Sequence, residues 1–197
     1  MRPFISHSGV VVPLNRVDVD TDQIIPKQFL KRIERTGFGE FLFNDWRFDD
    51  KGVPKNDFEL NKIGYEDATI LATGRNFGSG SSREHAAWAL SGYGFRCVIA
   101  PSFADIFYNN CLQNGIMLVV LPEDIVEDII ANAERSPGYS IQVDLEKQQV
   151  KNSSGEMIST FEIDQSDRYF LLRGLDHIGL TLQHEEKITA FETRLGI

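Results

Sequence analysis

Two rhythms of apolar and polar residues run along this chain, and the change from one to the other predicts its architecture. Short apolar runs at residues 69–73, 96–100 and 116–120 have the length and composition of strands. Helical spacing fills the intervals: residues 83–93, with Ala86, Ala87, Ala89 and Leu90 facing inward, then 103–113 and 123–133. Short strands alternating with helices of about 10 residues predict a βαβ core, because a parallel strand pair needs a crossover between its members. Across residues 139–163 the period drops to two. Ile141, Val143 and Leu145 alternate with polar side chains, and turn formers at 147–150 and 152–155 separate further short strands. Helical patterns return at 165–173 and 184–195, with no internal repeat or low-complexity tract anywhere. The expected class is α/β: a parallel core sheet flanked by helices, with antiparallel strands added.

Composition narrows function more than fold. A chain of 197 residues, 42% hydrophobic and 25% charged, has the make-up of a soluble globular protein with a sizeable core. No apolar run approaches the roughly 20 residues that span a bilayer, and Met1 to His7 lack the apolar stretch of a secretory signal. A net charge of −9 argues against nucleic acid or an anionic membrane as a general partner, since both need a basic surface. A small anionic substrate stays compatible, because a few arginines make a local positive site. Cys97 and Cys111 are the only cysteines, and their spacing matches no zinc or iron–sulfur signature. A cubane cluster wants three or four thiolates. Cys97 falls in an apolar run, and Cys111 on a helical pattern with Ile106, Phe107 and Leu112. Both are expected to be core residues of a reduced, cytosolic protein. The four histidines, His7, His85, His177 and His184, show no metal-ligand spacing, and His85 is expected to pack.

Residues 27–50 gather Phe29, Phe38, Phe41, Phe43, Trp46 and Phe48 among Lys31, Arg32, Arg35 and Arg47. Such interleaving can stack nucleobases, but the acidic chain disfavours it. The expectation is a hydrophobic patch facing a partner protein.

The chemistry concentrates in Gly74-Arg75-Asn76-Phe77-Gly78-Ser79-Gly80-Ser81-Ser82-Arg83-Glu84-His85-Ala86. Three glycines within seven residues let the backbone approach a ligand closely. Amides at the head of the following helix favour negative charge, and Arg83 adds a planar fork suited to a carboxylate or phosphate. The same string is also a capping box, with Ser81 as N-cap and Glu84 reaching back. Two phosphate-binding patterns are excluded. The G-x-x-x-x-G-K-[ST] pattern fails because Ser79 stands five residues after Gly74 and no lysine lies in the loop. The G-x-G-x-x-G pattern fails because Arg83 stands where helix–sheet packing needs a small residue. A helix cap and an anion site beside a serine hydroxyl both remain open.

Residues 76–86 resemble the active-site loop of the aconitase superfamily's mobile swivel domain. Two more segments carry the likeness. One is Asp18-Val19-Asp20-Thr21-Asp22-Gln23-Ile24-Ile25-Pro26, running on to Lys31. The other is Ala100-Pro101-Ser102-Phe103-Ala104-Asp105-Ile106-Phe107, running on to Gly115. With the three in order, essentially the whole chain resembles the isopropylmalate isomerase small subunits of that superfamily.

The resemblance implies one swivel domain over residues 1–197, with an aromatic and basic insertion at about 27–50 and a helical extension at about 165–197. It implies a hydro-lyase that interconverts 2-isopropylmalate and 3-isopropylmalate through an alkene diacid, on the path to leucine. By the same resemblance Ser81 is the base, Ser82 and Arg83 bind substrate carboxylate, and Gly78 and Gly80 support the loop. Thr21, Asp22, Lys31 and Arg32 fall at further substrate-binding positions, with Phe29 or Leu30 placed to meet the isopropyl group. This chain is expected to bind no cofactor itself; a [4Fe–4S] cluster belongs to a large subunit, which is the implied partner. Sister small subunits of homoaconitase or methylmalate-type dehydratases are the alternative within the superfamily. A non-catalytic interaction domain of the same fold is the alternative outside catalysis.

Overall fold

The computed structural model describes residues 1–31 and 36–196, with only the backbone of His177. Its elements run β1 (Ser6–Leu14), α1 (Thr21–Ile24), α2 (Asn44–Arg47), β2 (Ala68–Thr73), α3 (Glu84–Tyr93), β3 (Cys97–Ala100), α4 (Asp105–Gln113), β4 (Met117–Val120), α5 (Glu123–Arg135), β5 (Ser140–Asp144), β6 (Gln149–Asn152), β7 (Met157–Thr160), α6 (Gln165–Arg173), α7 (His177–Leu182) and α8 (Glu185–Leu195). Short 3₁₀ turns at Lys27–Lys31, Phe38–Phe41 and Glu59–Asn61 punctuate the long β1–β2 connection.

The strands form one sheet in the order β4-β3-β2-β1-β5-β6-β7. Its β4-β3-β2-β1 half is parallel and its β1-β5-β6-β7 half antiparallel. The α/β class and the parallel core with antiparallel additions are therefore as the sequence predicts. The central strand β1 has no counterpart among the sequence expectations. Its polar first half and its Gly9 and Pro13 hide it from pattern reading, yet it joins the two halves. Ser6 to Val10 pair antiparallel with β5, and Val10 to Leu14 pair parallel with β2, with a register shift between Val10 and Val11. Pro13 cannot donate to a ladder, and it sits beyond the last β5 pairing at Val10. Gln149 and Val150, expected in a turn, belong to β6 instead.

Alternate strand residues serve opposite faces, as the two-residue period demands. Val12, Leu71, Val98 and Leu118 join α3 and the 38–60 segment in one core, whereas Val11, Ile70, Ile99 and Val119 join α5 in the other. Burial on both faces explains why β2 to β4 are almost wholly apolar. Cys97 lies in the second core and Cys111 in the first, both fully buried. The helical pattern that put Ile106 beside Cys111 misplaces it: Ile106 is 54% exposed.

The aromatic segment corrects its expectation as well. Phe38, Leu42 and Phe43 are buried in this chain's own core, and Phe29 stacks on Phe41 at 4.1 Å. Trp46 lies 5.6 Å from Phe43 and beneath the Arg16 guanidinium at 4.2 Å. A Cβ on Gly39 would meet the Gly92 backbone at 2.3 Å, so glycine lets this segment press against α3. Phe38 and Phe43 are thus core, and Phe29, Phe41 and Trp46 pack half-buried against it.

Candidate active site

The connections after β1, β2 and β3 meet at the carboxyl ends of the parallel strands, where open α/β sheets place their ligands. Residues 18–21 run beside the glycine-rich loop as a stitched pair of backbones. Asp18 N donates to Arg75 O at 3.0 Å, Gly78 N to Val19 O at 2.8 Å, and Thr21 N to Ser79 O at 2.9 Å. On the other flank Phe77 N donates to Ser102 O at 3.2 Å and Ala104 N to Phe77 O at 3.1 Å. Side chains reinforce the seam, with Asn76 Nδ2 donating to Asp18 Oδ1 at 2.8 Å. The three sequence segments that carry the family resemblance are thus hydrogen-bonded to one another.

Gly78 is indispensable to this geometry. Its φ is +80°, and a Cβ there would lie 2.1 Å from the Phe107 ring. Gly80 has φ +87° with the Asp20 Cβ at 3.3 Å from a would-be Cβ. Both glycines let the chain turn tightly over α4 and α1.

The capping box expected at Ser81 is overturned. α3 begins at Glu84, its N-cap is Arg83, and no side chain caps it. Glu84 Oε1 instead accepts from Trp88 Nε1 and Asn114 Nδ2, both at 3.2 Å. Arg83 is itself extended and the helix starts after it, so Ser81 stands two residues too early to cap. A true capping box occurs at α1. There the Asp20 side chain accepts from Gln23 N and the Gln23 side chain accepts from Asp20 N. Sequence reasoning missed it, although D-x-x-Q is its ordinary signal.

Freed from capping, Ser81 and Ser82 are exposed and line a cleft of about 210 Å³ with Arg83, Thr21 and Ile106. Among the described residues no hydrogen bond engages either hydroxyl, and the amides of Ser81, Ser82 and Arg83 find no backbone acceptor. Thr21 is different. Only 2% exposed, it donates its hydroxyl to Ser81 O at 2.8 Å. That bond fixes the carbonyl of the residue whose side chain is idle.

Arg83 pairs with Asp22, Nη1 donating to Oδ1. The bond spans 61 positions of sequence. Asp22 also lies 3.4 Å from Lys27 Nζ. The hydrogen bond from Arg83 is the largest of the effects that hold the Asp22 carboxyl below its ordinary 3.8. A guanidinium has five donors, so Asp22 fixes Arg83 without exhausting it. Lys31 is exposed at the end of its 3₁₀ turn and does not line this cleft. Phe29 and Leu30 pack on the core rather than lining it, and Arg32 lies outside the described residues. His85 packs between Trp88, 4.6 Å away, and Phe38, 5.3 Å away, and burial lowers its pKa.

A larger cleft, about 560 Å³, is lined by Glu40, Asp45, Asp49 and Asp50. These four carboxylates outnumber the one lysine beside them, Lys55, and disfavour an anion, and among the described residues no sequence-predicted site residue lines it. Among the described residues no group of three or more His, Cys, Asp or Glu side chains comes together to hold a metal. The two thiols do not suit a cluster either. They lie in cores on opposite faces of the sheet, and burial pushes both pKa values up, away from the thiolate a cluster needs. No helix among the described residues is long and apolar enough to cross a membrane.

Comparison with known proteins gives a consistent picture. The family model for the aconitase C-terminal domain matches residues 1–124. LeuD_N matches residues 127–165, and the model for the C-terminal domain of 3-isopropylmalate dehydratase small subunits matches residues 178–195. The 3-isopropylmalate dehydratase small subunit of Brevibacillus brevis is 58% identical over 98% of this chain and 100% of its own length. That of Rhodopirellula baltica is 58% identical over 100% of both. In fold, the chain resembles the crystal structure of 3-isopropylmalate dehydratase from Methanocaldococcus jannaschii. The TM-score is 0.66 at 24% identity, covering 95% of this chain and 99% of that one.

Proposed function

This chain belongs to the family of 3-isopropylmalate dehydratase small subunits, and from that premise we propose how it works. It is one swivel-type domain that pairs with a large subunit in the cytosol and serves leucine synthesis. The pair interconverts 2-isopropylmalate and 3-isopropylmalate by removing water to give 2-isopropylmaleate and adding it back the other way round. A [4Fe–4S] cluster would supply the Lewis acid for loss of the substrate hydroxyl; we assign it to the large subunit, since Cys97 and Cys111 here do not fit one.

This chain contributes the proton and the grip. Ser81 takes the proton from the carbon beside a carboxylate as the alkene forms, and returns one on rehydration. A serine alkoxide is very unfavourable in water, so its surroundings must stabilise it. The unengaged amides of Ser81, Ser82 and Arg83 and the nearby guanidinium supply donors for that charge. Arg83 binds a substrate carboxylate with the donors that Asp22 leaves free, and Ser82 adds a hydroxyl donor. Thr21 and Asp22 act as positioning residues, one holding the Ser81 backbone and the other the Arg83 side chain.

The observation that carries this reading is the meeting of Thr21 and Asp22 with Ser81 and Arg83 across a cleft whose serine hydroxyls have no structural task. Its test is to purify the chain alone and with a 3-isopropylmalate dehydratase large subunit, reconstitute both anaerobically with iron and sulfide, and follow the alkene diacid by its absorbance. Activity and cluster absorbance are expected only in the pair. A stoichiometric cluster or turnover in the isolated chain would contradict the reading.

A further inference from the structure

We infer that Ile106 selects the alkyl branch of the substrate. The inference deepens the proposed function and rests on its substrate class. The cleft wall made by the first turn of α4 carries one large apolar side chain that is not buried. Ile106 is 54% exposed and lines the same cleft as Ser81, Ser82 and Arg83. A lone exposed isoleucine is ordinary on a protein surface. This one lines a cleft whose polar groups are the Ser81, Ser82 and Thr21 hydroxyls, the Arg83 guanidinium and the Asp105 carboxylate.

Its support is firm. Phe107, the next residue, turns inward to 2% exposure with its ring 5.4 Å from Phe77. The backbone leading into α4 is tied to the glycine-rich loop through Ala104 N and Phe77 O at 3.1 Å. A β-branched side chain on a helix has little χ1 freedom. The apolar surface of Ile106 is therefore held in place at a fixed remove from the carboxylate-binding groups.

Those groups define what fits. Arg83 and the serines suit a carboxylate, and a branched apolar surface beside them suits a branched alkyl group, whose contact removes apolar area from water on both sides. Asp105, exposed beside Ile106 and also on the cleft, repels a further negative charge. A substrate with a third carboxylate in place of the alkyl branch meets an apolar surface and a like charge together, which is discrimination by repulsion as well as attraction.

The test uses the chain paired with a 3-isopropylmalate dehydratase large subunit, comparing wild type with Ile106→Ala and Ile106→Val. KM and kcat are measured for 3-isopropylmalate and for 3-methylmalate, whose branch is one carbon. Ile106→Ala should raise KM for 3-isopropylmalate about tenfold while 3-methylmalate changes by less than about twofold, with Ile106→Val in between. Equal losses on the two substrates, or no loss on either, would overturn the inference. If Ile106→Ala does not pair, Ile106→Val decides alone, and an unchanged preference counts against the inference. A wild-type pair inactive on 3-isopropylmalate would instead sink the proposed function and this inference with it. An active pair whose preference ignores residue 106 sinks only this one.

Discussion

The glycine-rich loop and the aromatic segment both stand out in the sequence, and the structure uses them in opposite ways. In the loop the backbone is tied on both flanks, to Val19 and to Ser102, while the Ser81 and Ser82 side chains are left free. In the aromatic segment the side chains do the tying: Phe38, Leu42 and Phe43 are buried, and Arg16 covers Trp46. The lesson concerns where chemistry can reside. A side chain that builds the core has no freedom to act on a substrate, and a free side chain acts reliably only when its backbone is held by something else.

Substitutions in the two regions should therefore damage different properties. Phe43→Ala removes a fully buried ring and should cost about 4 kcal/mol of stability. Any pair that still assembles at low temperature should retain near-normal turnover, measured beside a denaturant titration. Selective loss of turnover with stability intact would erase the contrast between the regions.

Gly78→Ala attacks the backbone that holds the loop. Its positive φ and the Phe107 ring behind it predict a loss of about 3 kcal/mol, from strain and overpacking together. Turnover should fall alongside stability, since the serines move with the backbone. A variant of normal melting temperature would show that the clash relaxes cheaply.

Arg83→Lys keeps the charge and removes the fork. KM for 3-isopropylmalate should rise about tenfold, the scale of one lost charge-assisted hydrogen bond, while kcat changes less. An effect confined to kcat would place Arg83 in the proton transfer rather than in binding.

The smallest effect is set by pH. Asp22 has its carboxyl pKa lowered below 3.8 by Arg83. Stability from that pair is fully present above the unfolded value and is lost as pH falls through the folded one. Asp22→Asn should thus be less stable than wild type near neutral pH, by no more than about 1 kcal/mol because the carboxylate side of the pair is open to solvent. The gap should close in acid, below about pH 4, as thermal melts across pH will show. A gap that persists undiminished in strong acid would mean Asp22 stabilises by something other than its charge.

Much of this was legible in the sequence for identifiable reasons. The parallel strands β2 to β4 are buried on both faces, so they announce themselves as apolar runs. β1 did not, because a strand half polar and interrupted by Gly9 and Pro13 is recognised only through its partners. Ser81, Ser82 and Arg83 stood out as an unusual local string. The Asp22–Arg83 pair was beyond reach because its members lie 61 positions apart. Ile106 looked like core, since periodicity reports that a helix has an apolar face but not that its first turn overhangs a cleft. The aromatic segment misled because abundance of aromatics says nothing about which way they point.

The central claim is that Ser81 has no structural task and is the proton-transferring group, and Ser81→Ala in the cluster-loaded pair tests it most directly. Because Arg83, not Ser81, is the N-cap of α3, the melting temperature and pairing should be unchanged within about 0.5 kcal/mol of stability. Turnover of 3-isopropylmalate should fall by about a thousandfold or more, at the scale of a lost acid–base group. Near-normal turnover in that pair would contradict the account and leave Ser81 an idle surface residue.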